Sequence, residues 1–293
     1  MDIALSRELQ IPAKAASRSR RRPQSIIPGF GLTMGFTLGW LSLIVLLPLS
    51  ALFLRAADMG VAEFIAVGFS DRAVAAYKVS FGTALTAAVV NAFFGLLCAW
   101  VFVRYEFPGK KVLNALVDLP FALPTAVAGI ALTAIYSPNG WIGQWLEPLG
   151  IAVAYTPTGI TIALIFIGLP FIVRSVEPVL ADLSEEVEEA AFSLGAQPWQ
   201  VFVWVILPAI TPALLTGFAL ALARGIGEYG SVIFIAGNMP FRSEIAPLLI
   251  VTQLEQYDYA AATAIATVLL LASFAALLLI NLIQAWSRRR IER

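Results

Sequence analysis

The sequence predicts an all-α polytopic membrane protein with six transmembrane helices and both chain ends on the cytoplasmic side. Three observations carry this expectation. Hydrophobic residues make up 59% of the 293 residues and charged residues 13%, with a mean hydropathy of +0.84, which is too apolar for an ordinary soluble domain. Six windows, 31–54, 79–103, 112–136, 158–176, 212–236 and 261–286, are near or above the ~20 apolar residues that cross a ~30 Å hydrocarbon core. Lys and Arg are also unevenly spread. Fourteen (Arg7, Lys14, Arg18, Arg20, Arg21, Arg22, Arg104, Lys110, Lys111, Arg174, Arg288, Arg289, Arg290, Arg293) fall in segments on the N-terminal side, and four (Arg55, Arg72, Lys78, Arg242) fall on the other. The positive-inside rule then sets both ends inside.

Taken in order, residues 1–29 are polar and basic and read as a cytoplasmic N-terminal tail, with 30–290 as the transmembrane domain. The apolar run after the arginines is long enough to span and lacks a small-residue cleavage site, so an uncleaved anchor is expected. Asp118, at the head of the third window's proline-containing stretch, is expected to act as an interfacial cap. Pro120 and Pro124 in the third window, Pro170 in the fourth and Pro212 in the fifth each remove a helix hydrogen bond. Small residues, among them Gly82, Ala84, Ala87, Gly129, Ala131, Gly217, Ala219, Ala221 and Ala223, let helices approach closely. Together these predict a packed bundle able to move. Thr125 and Thr133 have hydroxyls that suit either a pathway lining or their own helix carbonyls. Three segments face outward, at 55–78, 137–157 and 237–260; Trp141 and Trp145 in the second fit an interfacial helix or an ordinary aromatic belt.

Composition also excludes chemistry. Nineteen acidic and nineteen basic residues cancel, so nucleic acid is not indicated as a partner. There is no His, and Cys98 stands alone in an apolar run, which removes the usual proton shuttle and leaves no internal disulfide or cysteine metal cage. No G-x-x-x-x-G-K-[ST] phosphate loop or G-x-S-x-G elbow occurs; the single Gly-Lys, Gly109-Lys110, lies in a basic turn. No catalytic residue, metal ligand or bound cofactor is therefore expected on this chain, and any ATP must be hydrolysed elsewhere.

The longest soluble-looking insert is Asp182 to Pro208. Drawn as a helix from Leu183, it places Leu183, Val187, Ala190, Ala191 and Leu194 on one stripe and Asp182, Glu185, Glu186 and Glu189 on another. Asp182 suits the N-cap with Glu185 completing a capping box. Gly195 supplies a stop, and Pro198 suits the first turn of a second helix. Read from these residues alone, the acidic helix is either a solvated face or a handle for a soluble partner.

Glu189-Ala190-Ala191, Gly195 and Val205-Ile206-Leu207-Pro208 resemble the E-A-A-x3-G-x9-I-x-L-P loop of the permease subunits of binding-protein-dependent ABC importers, with Val205 in place of Ile. The resemblance implies an ATPase-coupling loop containing Glu185, Glu188, Glu189, Ala190, Ala191, Gly195, Leu207 and Pro208, docked on a separate ATPase subunit that uses ATP and Mg. Two further stretches extend it. Asp118 to Gly129 (DLPFALPTAVAG) and Arg224 to Ser231 (RGIGEYGS), with Gln256 to Thr263 before the last span, resemble the sulfate/thiosulfate permeases of this class; molybdate permeases share related versions of the first two. This implies a second homologous permease, two ATPase subunits, a periplasmic sulfate-binding protein and a bacterial inner-membrane location.

Arg224 and Glu228 are the informative intramembrane charges. A centrally placed Arg costs roughly 2.5–3.5 kcal/mol on insertion scales and needs a partner; Glu228 is four residues away. The pair reads either as part of an anion route, with Thr125 as a further candidate for its lining, or as a locked structural ion pair. A stand-alone, gradient-driven transporter also accommodates intramembrane charges, but leaves the helix–Gly–helix loop without a role.

Overall fold

Every described element of the protein is helical, as expected for a chain that must satisfy its backbone within lipid. The computed structural model describes the backbone of residues 30–291 and the side chains of residues 30–286. The basic tail, with Arg18, Arg20, Arg21 and Arg22, lies outside the described residues, as do the side chains of Arg288, Arg289, Arg290 and Arg293.

Helix α1, Phe30–Asp58, contains a π-helical segment at Ser42–Leu46. Residues 1–50 and 51–293 form two separate units. In the second unit a short helix α2, Val61–Gly68, precedes α3, Asp71–Arg104, the longest element. Ser70 caps α3 by accepting from the Ala73 N–H at 3.4 Å. Asp71 in its first turn and Arg104 in its last oppose the helix dipole favourably. At ~1.5 Å per residue, its 34 residues rise about 51 Å, more than a hydrocarbon core requires.

The third apolar window does not form one helix. It breaks into α4, Lys110–Val117, α5, Leu119–Ala122, and α6, Thr125–Tyr136. Pro120 sits in the first turn of α5 and Pro124 at the N-cap of α6, so these prolines start helices where a missing N–H costs nothing. A four-residue helix α7, Gly143–Leu146, follows between Trp141 and Glu147, with Trp141 and Trp145 both largely exposed. Helix α8, Pro157–Ala181, continues through Pro170 and Pro178. Then come α9, Glu185–Ser193, and α10, Pro198–Ile226, which contains a π-helical segment at Phe202–Ile206 and Pro212. The fifth window also ends early: α10 stops at Ile226, and Gly227 to Ser231 are non-helical before α11, Val232–Ile235. Helix α12, Ala246–Glu255, and helix α13, Tyr259–Ile291, complete the chain. Among the described residues, five helices are thus long and apolar enough to cross a membrane.

The core lies where α3, α8 and α10 meet. Helix α3 turns a stripe of small residues inward, Ala73, Ala76, Ser80, Ala84, Ala87, Ala88, Asn91, Gly95 and Ala99, all buried. Such a stripe lets backbones approach where lipid supplies no hydrophobic drive between helices. A Cβ on Gly95 would lie 2.7 Å from the Ile172 side chain, and one on Gly217 would lie 2.9 Å from the Ile172 Cα. Ile172 is fully buried between them. Gly168 likewise makes room for Asn91, whose buried amide has no hydrogen-bond partner. Of the small residues singled out in the sequence, Gly82 meets nothing and Ala131 is exposed, so these two are not at contacts.

Gly217→Leu should lower stability by roughly 1–3 kcal/mol, because the new side chain meets backbone that cannot yield. Thermal unfolding in detergent checks this, with Gly82→Ala, which enters open space, as the variant expected to match the parent.

Candidate functional site

Two clusters answer the sequence's candidates, one on the loop between α8 and α10 and one at the break after α10. In the loop, α9 begins one residue after Ser184, not at Leu183. Ser184 is the N-cap, its side chain accepting from the Glu186 N–H at 3.3 Å, and Asp182 ends α8 as its C-cap. The capping box lies one helix later, where Gln197 and Gln200 cap the short first turn of α10. Gly195 has φ +87, with open space at its Cβ position, so the turn demands glycine for its backbone angle and not for room. Pro198 occupies the first turn of the following helix, as the spacing predicts.

Helix α9 shows a face that the hydrophobic stripe does not predict. Val187 is 48% exposed and Leu194 is 90% exposed, and Ala190, Phe192 and Trp199 are exposed as well. The face turned toward the chain's own bundle is made by Leu183, Glu188 and Ala191. Glu188 forms an ion pair with Arg104 at the end of α3, and Arg104 Nη1 stands 3.6 Å from the largely exposed Glu185. The Arg104 guanidinium also lies 5.7 Å from the centroid of the Trp100 ring, whose edge meets Phe202 at 5.5 Å between centroids. Glu186 and Glu189 are exposed. Leu207 and Pro208 open the regular part of α10 after its π-helical segment, with Leu207 packed on the core. The loop therefore offers outward an apolar patch edged by carboxylates, and holds itself to α3 through one arginine.

At the second cluster, Arg224 in the last turn of α10 donates to Glu228, which lies beyond the helix end. The sequence spacing anticipates the pair but places both residues within one helix. Glu228 is 2% exposed; its Oε1 accepts from the Ser231 N–H at 2.9 Å and from the Ser231 hydroxyl at 3.0 Å. The Arg224 side chain keeps 38% of its surface. Thr125 belongs to the same neighbourhood: a Cβ on Gly230 would lie 2.2 Å from Thr125 Oγ1, and one on Gly129 would lie 2.2 Å from the Ser231 carbonyl. The start of α6 and the segment from Gly227 to Ser231 are thus in backbone contact, and all three pathway candidates are gathered there. Thr133 instead donates to its own helix carbonyl at Gly129, at 2.7 Å.

A third polar cluster was not anticipated. Arg174 of α8 donates through Nε to Asp118 at 2.8 Å and through Nη2 to Asp118 at 2.6 Å and to the Asn114 carbonyl at 3.1 Å, and it pairs with Glu177. Asp118 stands at the N-cap position of α5, but its side chain makes no cap bond and is turned to Arg174 instead. It anchors the broken third window to α8. The signal available in the sequence was two isolated opposite charges, each at an end of an apolar window, both of which need partners near lipid.

A helical bundle with an exposed helix–Gly–helix loop and a broken helix beside a half-buried ion pair is a fold shared with solved ABC transporters. The fold matches a bacterial alginate ABC transporter solved with an alginate-pentasaccharide-bound periplasmic protein, at a TM-score of 0.73 and 18% identity over 89% of this chain and 94% of that one. It also matches an inward-facing MetNI methionine ABC transporter at 0.51 and 19%, over 76% of this chain and 100% of that one. The chain belongs to the family of binding-protein-dependent transport system inner membrane components, which residues 91–293 match. Relatives include the sulfate transport system permease protein CysT of Escherichia coli strain K12, 49% identical over 91% of this chain and 96% of that protein. That of Synechococcus elongatus is 52% identical over 87% and 91%, and a probable sulfate permease of Nephroselmis olivacea is 51% identical over 86% and 89%.

Arg224→Gln should abolish transport while the purified complex keeps its subunits, as read by uptake and size-exclusion chromatography. Loss of assembly would assign the Arg224–Glu228 pair to structure alone.

Proposed function

We propose that this chain is the pore-forming permease subunit of an ATP-driven importer of sulfate and thiosulfate in the bacterial inner membrane. The observation that carries the mechanism is the outward-facing patch of α9, in which Val187, Ala190 and Leu194 are exposed beside Glu186 and Glu189. In water such a patch gains from burial in a cleft, at about 25 cal/mol per Å2 of apolar surface covered, and its flanking carboxylates favour a basic rim. The partner is an ATPase subunit that binds ATP and Mg. Two copies serve the complex, one beneath this chain and one beneath a second, homologous permease, and a periplasmic sulfate-binding protein delivers the anion. Sulfate as cargo rests on the roughly half-identical relatives that carry that name.

Both chain ends and the α9 loop lie on the cytoplasmic side, by the Lys and Arg asymmetry. The broken path of α4, α5 and α6 supplies the third of six crossings, its interrupted backbone covered by α8 and by the segment from Gly227 to Ser231. That break is useful for transport. Non-helical backbone at membrane depth is tolerated where it is covered by protein or lines a polar cavity, and the half-exposed Arg224 stands beside it. Glu228, held by Ser231, neutralises Arg224 enough for an anion to pass without being trapped. ATP-driven closure of the partner subunits displaces α9, and the bundle changes which side of the Arg224 region is open.

Proteoliposomes containing the chain with its ATPase, second permease and binding protein should accumulate labelled sulfate only when ATP is supplied. Uptake by this chain alone on a proton gradient would overturn the reading. Gly195→Val should uncouple hydrolysis from uptake, because a β-branched residue is strained at φ +87 and the turn must open; simultaneous ATPase and uptake assays check this, with hydrolysis retained and uptake lost.

A further inference from the structure

Helix α3 is held at both ends by arginine, and each arginine grips a different segment. At one end Arg104 binds Glu188 of the coupling loop, its side chain 15% exposed and its partner's 18%. The other arm of that loop is held by the same turn, through the Trp100 ring against Phe202. At the opposite end Arg72, in the first turn of α3, donates Nε and Nη2 to the two carboxylate oxygens of Glu244 at 2.8 and 2.7 Å. Glu244 is 3% exposed and lies in the segment that leads into α12. Ser80 adds a second tie there, its hydroxyl accepting from the Ala246 N–H at 2.8 Å, the first residue of α12.

Between these grips α3 is one continuous α-helix. It contains no proline and no π-helical segment, whereas α8 carries Pro170 and Pro178, α10 carries Pro212 and a π-helical segment, and the third window is broken outright. Its midsection is locked to α8 by contacts that leave no space for a Cβ, Gly95 on Ile172 and Asn91 on Gly168. The Arg72–Glu244 pair is bidentate and fixes orientation as well as distance, which a lysine cannot do, while Arg104 meets Glu188 through Nη2 alone and is held against the Trp100 ring. Arg104 and Arg72 are thus placed to convert a displacement of α9 at one end into a displacement of the Glu244 segment at the other.

We propose that α3 is the rigid element that carries coupling-loop motion across the membrane, with Arg104 and Arg72 as its positioning residues at the two ends. The inference rests on the ATPase-coupled reading above and adds to it which helix does the carrying. Neither arginine belongs to the Arg224–Glu228 cluster proposed for the anion route. Their loss therefore changes how many ATP molecules are spent per anion and leaves the affinity for the anion alone.

The test uses the full complex in proteoliposomes and measures ATP hydrolysed per sulfate accumulated. Arg104→Gln and Arg72→Gln should each raise that ratio at least tenfold with the apparent KM for sulfate-loaded binding protein unchanged. The exchanged pairs Arg104→Glu with Glu188→Arg, and Arg72→Glu with Glu244→Arg, should recover a substantial part of the coupling. Glu188→Gln serves as the second variant if Arg104→Gln does not assemble, and the same rise is expected of it. Normal coupling in both glutamine variants overturns the proposal, as does loss of assembly in Arg104→Gln and Glu188→Gln together, which assigns the pair to folding. An unmutated complex without ATP-dependent uptake would instead sink the functional reading itself, before α3 is in question.

Discussion

The close approach of three helices at Ile172 is the constraint on which the rest of the molecule depends. Gly95 of α3 closes on the fully buried side chain of Ile172 and Gly217 of α10 on its Cα, at separations that exclude even a methyl group. In lipid, two helices gain little from hiding apolar surface, since the tails are as apolar as leucine; what remains is dispersion across tight contacts. Small residues on α3 thus do the work that large ones do in a soluble core. The long helix is held along its length, and its two ends are presented to the α9 loop and to the segment before α12.

Two interruptions of regular helix meet beside that centre. The third window breaks at Asp118 and Pro124, and the fifth ends at Ile226. The broken ends meet each other, with Thr125 against Gly230 and Gly129 against the Ser231 carbonyl. Interrupted helices cost unsatisfied backbone groups in hydrocarbon, so each break must be covered by protein or by a polar cavity. Arg174, binding Asp118, Asn114 and Glu177, covers one. Glu228, accepting from Ser231 and pairing Arg224, covers the other. Charge in the membrane here is attached to places where regular helix has been given up.

The loop from Asp182 to Pro208 separates what pattern reveals from what it conceals. Its glycine turn and its second helix were legible, because φ > 0 and a proline first turn are local requirements that few residues meet. The direction of its faces was not. An apolar stripe at helical spacing ordinarily marks the buried side, yet Val187, Ala190 and Leu194 face outward and a carboxylate, Glu188, faces inward. Arg104 explains the inversion: it lies 84 residues earlier in the chain and offers Glu188 an ion pair under the Trp100 ring. Periodicity assigns a stripe to a helix but not the stripe to a neighbour.

By itself the sequence determined a helical membrane protein, the apolar windows, the loop with its glycine turn, and the pairing of Arg224 with Glu228. Each of these follows from composition or from residues within a turn or two of one another, where covalent connection alone limits the options. Only the tertiary structure decided that two windows are interrupted, that Asp118 serves Arg174, that Thr125 meets Gly230, and which side of α9 is free. Those are contacts between residues 50 to more than 100 positions apart, and they depend on which backbones approach closely enough to leave no room for a side chain.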